Sequence, residues 1–145
     1  TGADIRESPE SRAYYSPAGD FVHMPIKSLF RATEHSTATE CYYSTLSHEL
    51  VHWTGHGTRL NRHKLTRFGD SEYAFEELVA ELGAAFLCAE LGITNSPRID
   101  HAQYLNNWLR VLQNDKRAIF KAASLARKAS ELLLGRETEE LKEAA

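Results

Sequence analysis

The stretch "SHELVHWTGHGTRL", residues 47–60, carries three of the seven histidines of a 145-residue chain, and two of them stand four apart with a glutamate between. On a helix, His48 and His52 differ by only about 40° around the axis, so both imidazoles can meet one ion from one face. Glu49 completes the pattern H-E-x-x-H. There two imidazoles hold Zn²⁺ and the glutamate takes a proton from the water on the metal. The residue types suit that chemistry, because the ion lowers the pKa of its water towards ~7 and polarises the carbonyl under attack. The flanking Leu46, Leu50, Val51 and Trp53 predict a buried helix, where two unpartnered histidines beside a carboxylate would be costly.

The third ligand is not in the same stretch. Gly55 stands where H-E-x-x-H-x-x-G-x-x-H places its glycine, but the next histidine would have to be residue 58, which is Thr58. His56 comes two positions too early, and the only methionine, Met24, lies upstream, so no Met-turn can follow. "FEELVAELGAAF" offers Glu76, Glu77 and Glu81 instead. Glu77 and Glu81 share a helix face, whereas Glu76 is expected to point elsewhere. Two carboxylates among Ala80, Ala84 and Ala85 require a partner. Glu77 is the expected third ligand, with Glu81 accepting the free N–H of a ligand histidine; the opposite order satisfies the same coordination rules. A His₂Glu set with an open position admits Mn²⁺, Fe²⁺ or other divalent ions as well as Zn²⁺.

The elements that must carry these residues are legible in the flanking sequence. "RAYYS", "PAG" and "DFVHM" predict a β-hairpin over residues 12–24, closed by Pro25. Thr37 and Glu40 form a capping box that opens the motif helix, whose stripe is Tyr42, Leu46, Leu50 and Trp53; Gly55 and Gly57 stop it. A basic connector, residues 56–70, leads to a second helix capped by Asp70 or Ser71 and ended by Gly92. Its apolar side is Phe75, Leu78, Val79, Leu82, Ala85 and Phe86, and its small residues imply burial on nearly all sides. A third helix is expected from Asp100, with Gln103 in box position and Leu105, Trp108, Leu109 and Leu112 as stripe. After Asn114 and Asp115 a fourth carries Ile119, Ala123, Ala126 and Leu133 inward, up to Gly135.

Composition sets outer bounds. With 42% hydrophobic residues the chain suits one domain with one core, and a net charge of −3 gives no global field for nucleic acid. Cys41 and Cys88 lack any CxxC context and read as reduced residues in or near the core of a cytoplasmic protein. Residues 1–12 are polar, without a signal-like pattern, and no apolar run approaches the ~20 residues of a membrane span. Residues 1–11 are expected to be a linker or the start of a fragment, 12–135 the domain, and 136–145 a charged tail.

"AYYSPAGDFVHMP", "YYSTLSHELVHWTGH", "RLNR", "YAFEELVAELGAAFL" and "WLRVLQNDKRAIFKAASLARKA" together resemble the C-terminal, metallopeptidase-like domain of the ArdC family of antirestriction proteins. The resemblance runs from about residue 12 to 134. It implies an α+β, predominantly helical, zincin-like fold with a short N-terminal β-hairpin or small sheet. It also implies an origin on plasmids, phages or related mobile DNA, and a missing N-terminal domain that binds single-stranded DNA. Protection of incoming DNA from restriction is the implied role. The wider glutamate-zincin group has its ligand glutamate open an E-x-x-x-[D/N/E] pattern, which here selects Glu77 as ligand and Glu81 as helper. In such proteins a hairpin edge near the metal helix can hold an extended peptide by backbone pairing, a role open to residues 12–24.

Other residues carry weaker signals. His101 and Tyr104, about one turn apart on the expected third helix, are candidate donors to a transition-state oxyanion. His23, His35 and His63 lack partner spacing and are expected at the surface. Arg59, Arg62, His63, Lys64 and Arg67 form a local basic cluster, ordinarily a solvated loop, that could touch phosphate or an acidic partner. Two functions follow. One is a zinc metallopeptidase acting on a protein or peptide substrate; the other is a metal-stabilised domain that binds a restriction enzyme or DNA without turnover.

Overall fold

A computed structural model describes residues 1–62, 71–93 and 115–136. Three strands form one sheet: β1 (Asp4–Ser8), β2 (Tyr14–Ser16) and β3 (Phe21–Pro25). β3 is central, antiparallel to β2 and parallel to β1. The expected hairpin is β2 and β3, joined through residues 17–20, where Asp20 takes a φ of 49° that its short polar side chain tolerates. β1 lies within the segment read as a linker. Its sequence, DIRES, has no apolar alternation because four of its five residues face solvent; it is ordered by backbone pairing from Asp4↔Phe21 to Ser8↔Pro25.

The expectation that His23 lies at the surface is corrected: it is only 7% exposed. Along β3, Val22 and Met24 face one side and His23 the other. His23 stacks on Tyr14 with ring centroids 4.9 Å apart, and its two nitrogens reach the Ser8 hydroxyl and the Arg12 carbonyl, both at 2.8 Å. Partners from β1 and the loop before β2 make the burial tolerable.

After a short 3₁₀ turn (Lys27–Leu29) comes α1, Ala38–Thr54. Both arms of its capping box are present: the Glu40 N–H donates to Thr37 Oγ1 at 3.2 Å and the Thr37 N–H to Glu40 Oε2 at 2.6 Å. α2 spans Ser71–Glu90 and α3 spans Ala118–Leu133; Gly92 and Gly135, at φ 64° and 68°, provide the left-handed stops after them. No helix among the described residues is long and apolar enough to cross a membrane. The expected third helix and residues 137–145 lie outside the described residues.

α1 is the middle layer. Its predicted stripe packs on the sheet, where Tyr42 and Trp53 join Val22 and Met24, with Leu46 and Leu50 beside them. Val51, on another side, joins the α2–α3 core with Leu78, Val79, Ala80, Leu87, Ala122, Ala126 and Ala129. The closest approach is at Gly83, where a Cβ would lie 2.7 Å from Val51 Cγ2. A small-residue face on α3, Ala118, Ala122, Ala126, Ala129 and Ser130, backs α2, and Ser130 Oγ donates to the Gly83 carbonyl at 3.2 Å. Ile119 and Leu133 pack at the border of this core, while Ala123 is half-buried. The reading of α2 as buried on nearly all sides is corrected at Ala85 and Phe86, which are exposed. α1 and α3 cover two sides of α2 and leave the outer side of its last two turns open among the described residues.

Candidate metal centre

The seam between α1 and α2 is polar although it is buried. His48 and His52 project from successive turns of α1, and Glu76, Glu77 and Glu81 from α2. His48, Glu49, Glu77 and Glu81 are each at most 9% exposed. The contact between Gly83 and Val51 draws the helices together just beyond these groups, because Val51 sits between the two histidines in sequence and Gly83 adds no side chain.

Three side chains converge on one point. His48 Nε2 and His52 Nε2 are 3.2 Å apart, and Glu77 places Oε2 at 3.5 Å from the first and Oε1 at 3.4 Å from the second. Donors held tetrahedrally at about 2.0–2.1 Å from one ion stand roughly 3.3 Å from each other. The triangle therefore has the edges that one small divalent ion requires, and its donor set, two imidazoles and a carboxylate, is one such ions accept.

The far nitrogens of the two rings are treated differently. His52 Nδ1 donates to Glu76 Oε1 at 3.4 Å. His48 Nδ1 is 3.2 Å from Glu81 Oε1 but out of line for a hydrogen bond. Glu77 thus lies on the Nε2 side of both rings and Glu81 behind His48. The expectation that Glu76 points elsewhere is corrected. It lies about 100° round α2 from Glu77, but its long side chain turns back to His52, and Arg62 holds it there through Nη2–Oε1 at 3.0 Å.

Burial alone would push both imidazoles towards the neutral form. The carboxylates outweigh it: Glu77 and Glu81 hold His48 up at about 9, and Glu76 and Glu77 hold His52 up at about 10. Burial would likewise raise the acids, but the histidines pull Glu77 well below the usual carboxylate range, and His52 with Arg62 hold Glu76 at about 2. Such a cluster favours positive charge, and a divalent ion would bind in competition with protons.

Two arginines of the basic connector, Arg59 and Arg62, are less solvated than its composition suggested. The Arg59 guanidinium lies 3.8 Å from the Trp53 ring centre, donates from Nε to the Trp53 carbonyl at 2.7 Å and pairs with Asp20. Arg62 is 5% exposed at its side chain. Neither arginine announced its role, since both partners come from other elements. His63, Lys64, Arg67, His101 and Tyr104 lie outside the described residues. His35 is exposed, as expected; Cys41 is half-buried and Cys88 buried, and neither is in a disulfide.

Against known proteins, a family model for a zincin-like metallopeptidase, MPTase-PolyVal, matches residues 1–125. The crystal structure of the antirestriction ArdC protein from the R388 plasmid in its Mn(II)-bound form is 48% identical, with a TM-score of 0.80 over 92% of this chain and 48% of that one. Its metal-free form gives a TM-score of 0.76. A DNA primase TraC of Escherichia coli is 41% identical over 99% of this chain but 13% of its own length. The uncharacterized protein y4eC of Sinorhizobium fredii (strain NBRC 101917 / NGR234) is 42% identical over 90% of this chain and 40% of its own. The chain spans less than half of each of these relatives. The likeness to ArdC read from the sequence extends to the fold, and a model match across most of the chain means that it belongs to the zincin-like metallopeptidase family.

Proposed function

We propose that the chain is the metal-dependent peptidase domain of an antirestriction protein, with His48, His52 and Glu77 as ligands, Glu81 steadying His48, and Glu49 as general base. The carrying observation is the buried triangle of donor atoms at 3.2–3.5 Å. His48, His52 and Glu77 would hold Zn²⁺, or Mn²⁺ as in the ArdC crystal structure, and the ion would supply an acidified water and polarisation of the scissile carbonyl. Glu49 follows His48 on α1 and lies, by helix geometry, between the ligand face and the sheet face. From there its carboxylate takes the proton of the attacking water and passes it to the leaving amine. Among the described residues β2 is an edge strand of the sheet, the kind of edge along which an extended substrate could lie.

A second reading is supported by the position of the cluster, which bridges α1 and α2. An ion there would also clamp the two helices, so the domain could act by binding a restriction enzyme or DNA without turnover. In either case single-stranded DNA would be contacted mainly by an N-terminal domain outside this chain, as the resemblance to ArdC implies. Glu49→Gln in the full-length protein separates the two readings. Metal content, measured by mass spectrometry, is expected to stay near the parent value while protection of incoming DNA from restriction is lost. Protection that survives the substitution sinks the peptidase reading. Well under one equivalent of metal in protein purified without chelators sinks both.

A further inference from the structure

We infer that Arg62 and Glu76 form a positioning pair that aims the His52 ring at the ion, a role that rests on the reading of His52 as a ligand. The Arg62 side chain is buried, and it makes four bonds: Nε to Glu76 Oε2 at 3.3 Å, Nη2 to Glu76 Oε1 at 3.0 Å, Nη2 to the Val51 carbonyl at 2.7 Å and Nη1 to Thr54 Oγ1 at 2.9 Å. A guanidinium kept out of water at that depth needs such a set of acceptors. Val51 lies between the two histidines, and Thr54 ends α1. One planar group therefore registers the last turn of α1 against a carboxylate of α2, with a fork that lysine cannot reproduce.

The consequence falls on His52. With Glu76 Oε1 accepting from Nδ1, the neutral ring keeps its lone pair on Nε2, which faces Glu77 and His48. The 3.4 Å bond is long for N–H···O, so the arginine fork is what fixes where the carboxylate stands. His48 has no equivalent, because Glu81 approaches its Nδ1 out of line. The backbone N–H of Arg62 also donates to the Gly55 carbonyl at 2.9 Å, which ties the start of the connector to the end of the motif helix.

The test measures Mn²⁺ affinity by electron paramagnetic resonance, together with the melting temperature of metal-free protein, for the full chain and for Glu76→Ala, Glu76→Gln and Arg62→Lys. Glu76→Ala and Arg62→Lys are expected to weaken Mn²⁺ binding about 10–100-fold and to alter the bound-ion spectrum. Glu76→Gln keeps an acceptor for His52 and is expected to recover part of the loss. A pair that merely joins two helices would lower the metal-free melting temperature while leaving affinity and spectrum at parent values, and that result overturns the inference. Should Glu76→Ala fail to fold, the other two variants decide by the same readouts, with weaker binding supporting the pair and parent-like binding overturning it. A parent chain that binds no Mn²⁺ defeats the metal-site reading itself, whereas parent binding with unchanged variants defeats only the positioning pair.

Discussion

The two sides of α1 are built on opposite principles. Towards the sheet, Tyr42 and Trp53 meet Val22 and Met24 in an apolar layer, closed at its rim by Arg59 over the Trp53 ring and paired with Asp20. Towards α2, the same helix presents His48 and His52 to Glu76, Glu77 and Glu81, all largely buried and dependent on one another for partners. The sheet side gains stability from area removed from water. The α2 side sets desolvation against ion pairs among its own groups, a balance to which a bound cation would contribute. One helix thus separates what holds the domain together from its candidate metal site.

Substitutions can press on that separation, beginning with the sheet side. Met24 is fully buried there, and Met24→Ala is expected to cost about 2–5 kcal/mol in denaturant titration while the folded fraction still takes up one equivalent of metal. Loss of metal from a folded Met24→Ala protein would show that the two sides are not independent. On the α2 side, stripping the ion with a chelator is expected to lower stability by about 3 kcal/mol relative to protein held at a hundredfold excess of metal over Kd. A melting temperature indifferent to metal would mean that the seam needs no cation.

Gly83→Ala tests the contact that brings the helices together. The added methyl would lie 2.7 Å from Val51 Cγ2. Overpacking of about 1–3 kcal/mol, offset by roughly 1 kcal/mol of better helix propensity, leaves a net loss of about 1 kcal/mol with weaker metal binding. A variant more stable than the parent would refute the tight contact. The smallest effect concerns pH on the sheet side. Hydrogen bonding from Arg59 lowers Asp20 from 3.8 to about 2, so its contribution is present above about pH 4 and lost as pH falls towards 2. Asp20→Asn tolerates the same positive φ and should flatten that part of the stability profile in acid melts; an unchanged slope would detach Asp20 from the lock.

What the sequence revealed follows the same division. H-E-x-x-H, the Thr37–Glu40 box and the "PAG" turn are local signals, in which spacing along the chain is spacing in space, and the elements they mark stand where they were read. β1 escaped notice because an exposed edge strand has no apolar rhythm, and its register comes from β3, seventeen residues on. His23 resembled a stray surface histidine because the groups that satisfy it, Ser8 and the Arg12 carbonyl, belong to other segments. Glu76 was misread for a related reason. A helical wheel records direction from one axis, but the side chain of Glu76 answers to His52 and Arg62 on a neighbouring one.

The support behind the seam has a consequence for motion. α3 backs α2 with four alanines and a serine. Alanine has no side-chain rotamers to lose on folding, so this wall costs little conformational entropy and has almost nothing that can hop between states. Glu76, Glu77 and Glu81 therefore extend from a helix whose backing is made mostly of nearly fixed parts.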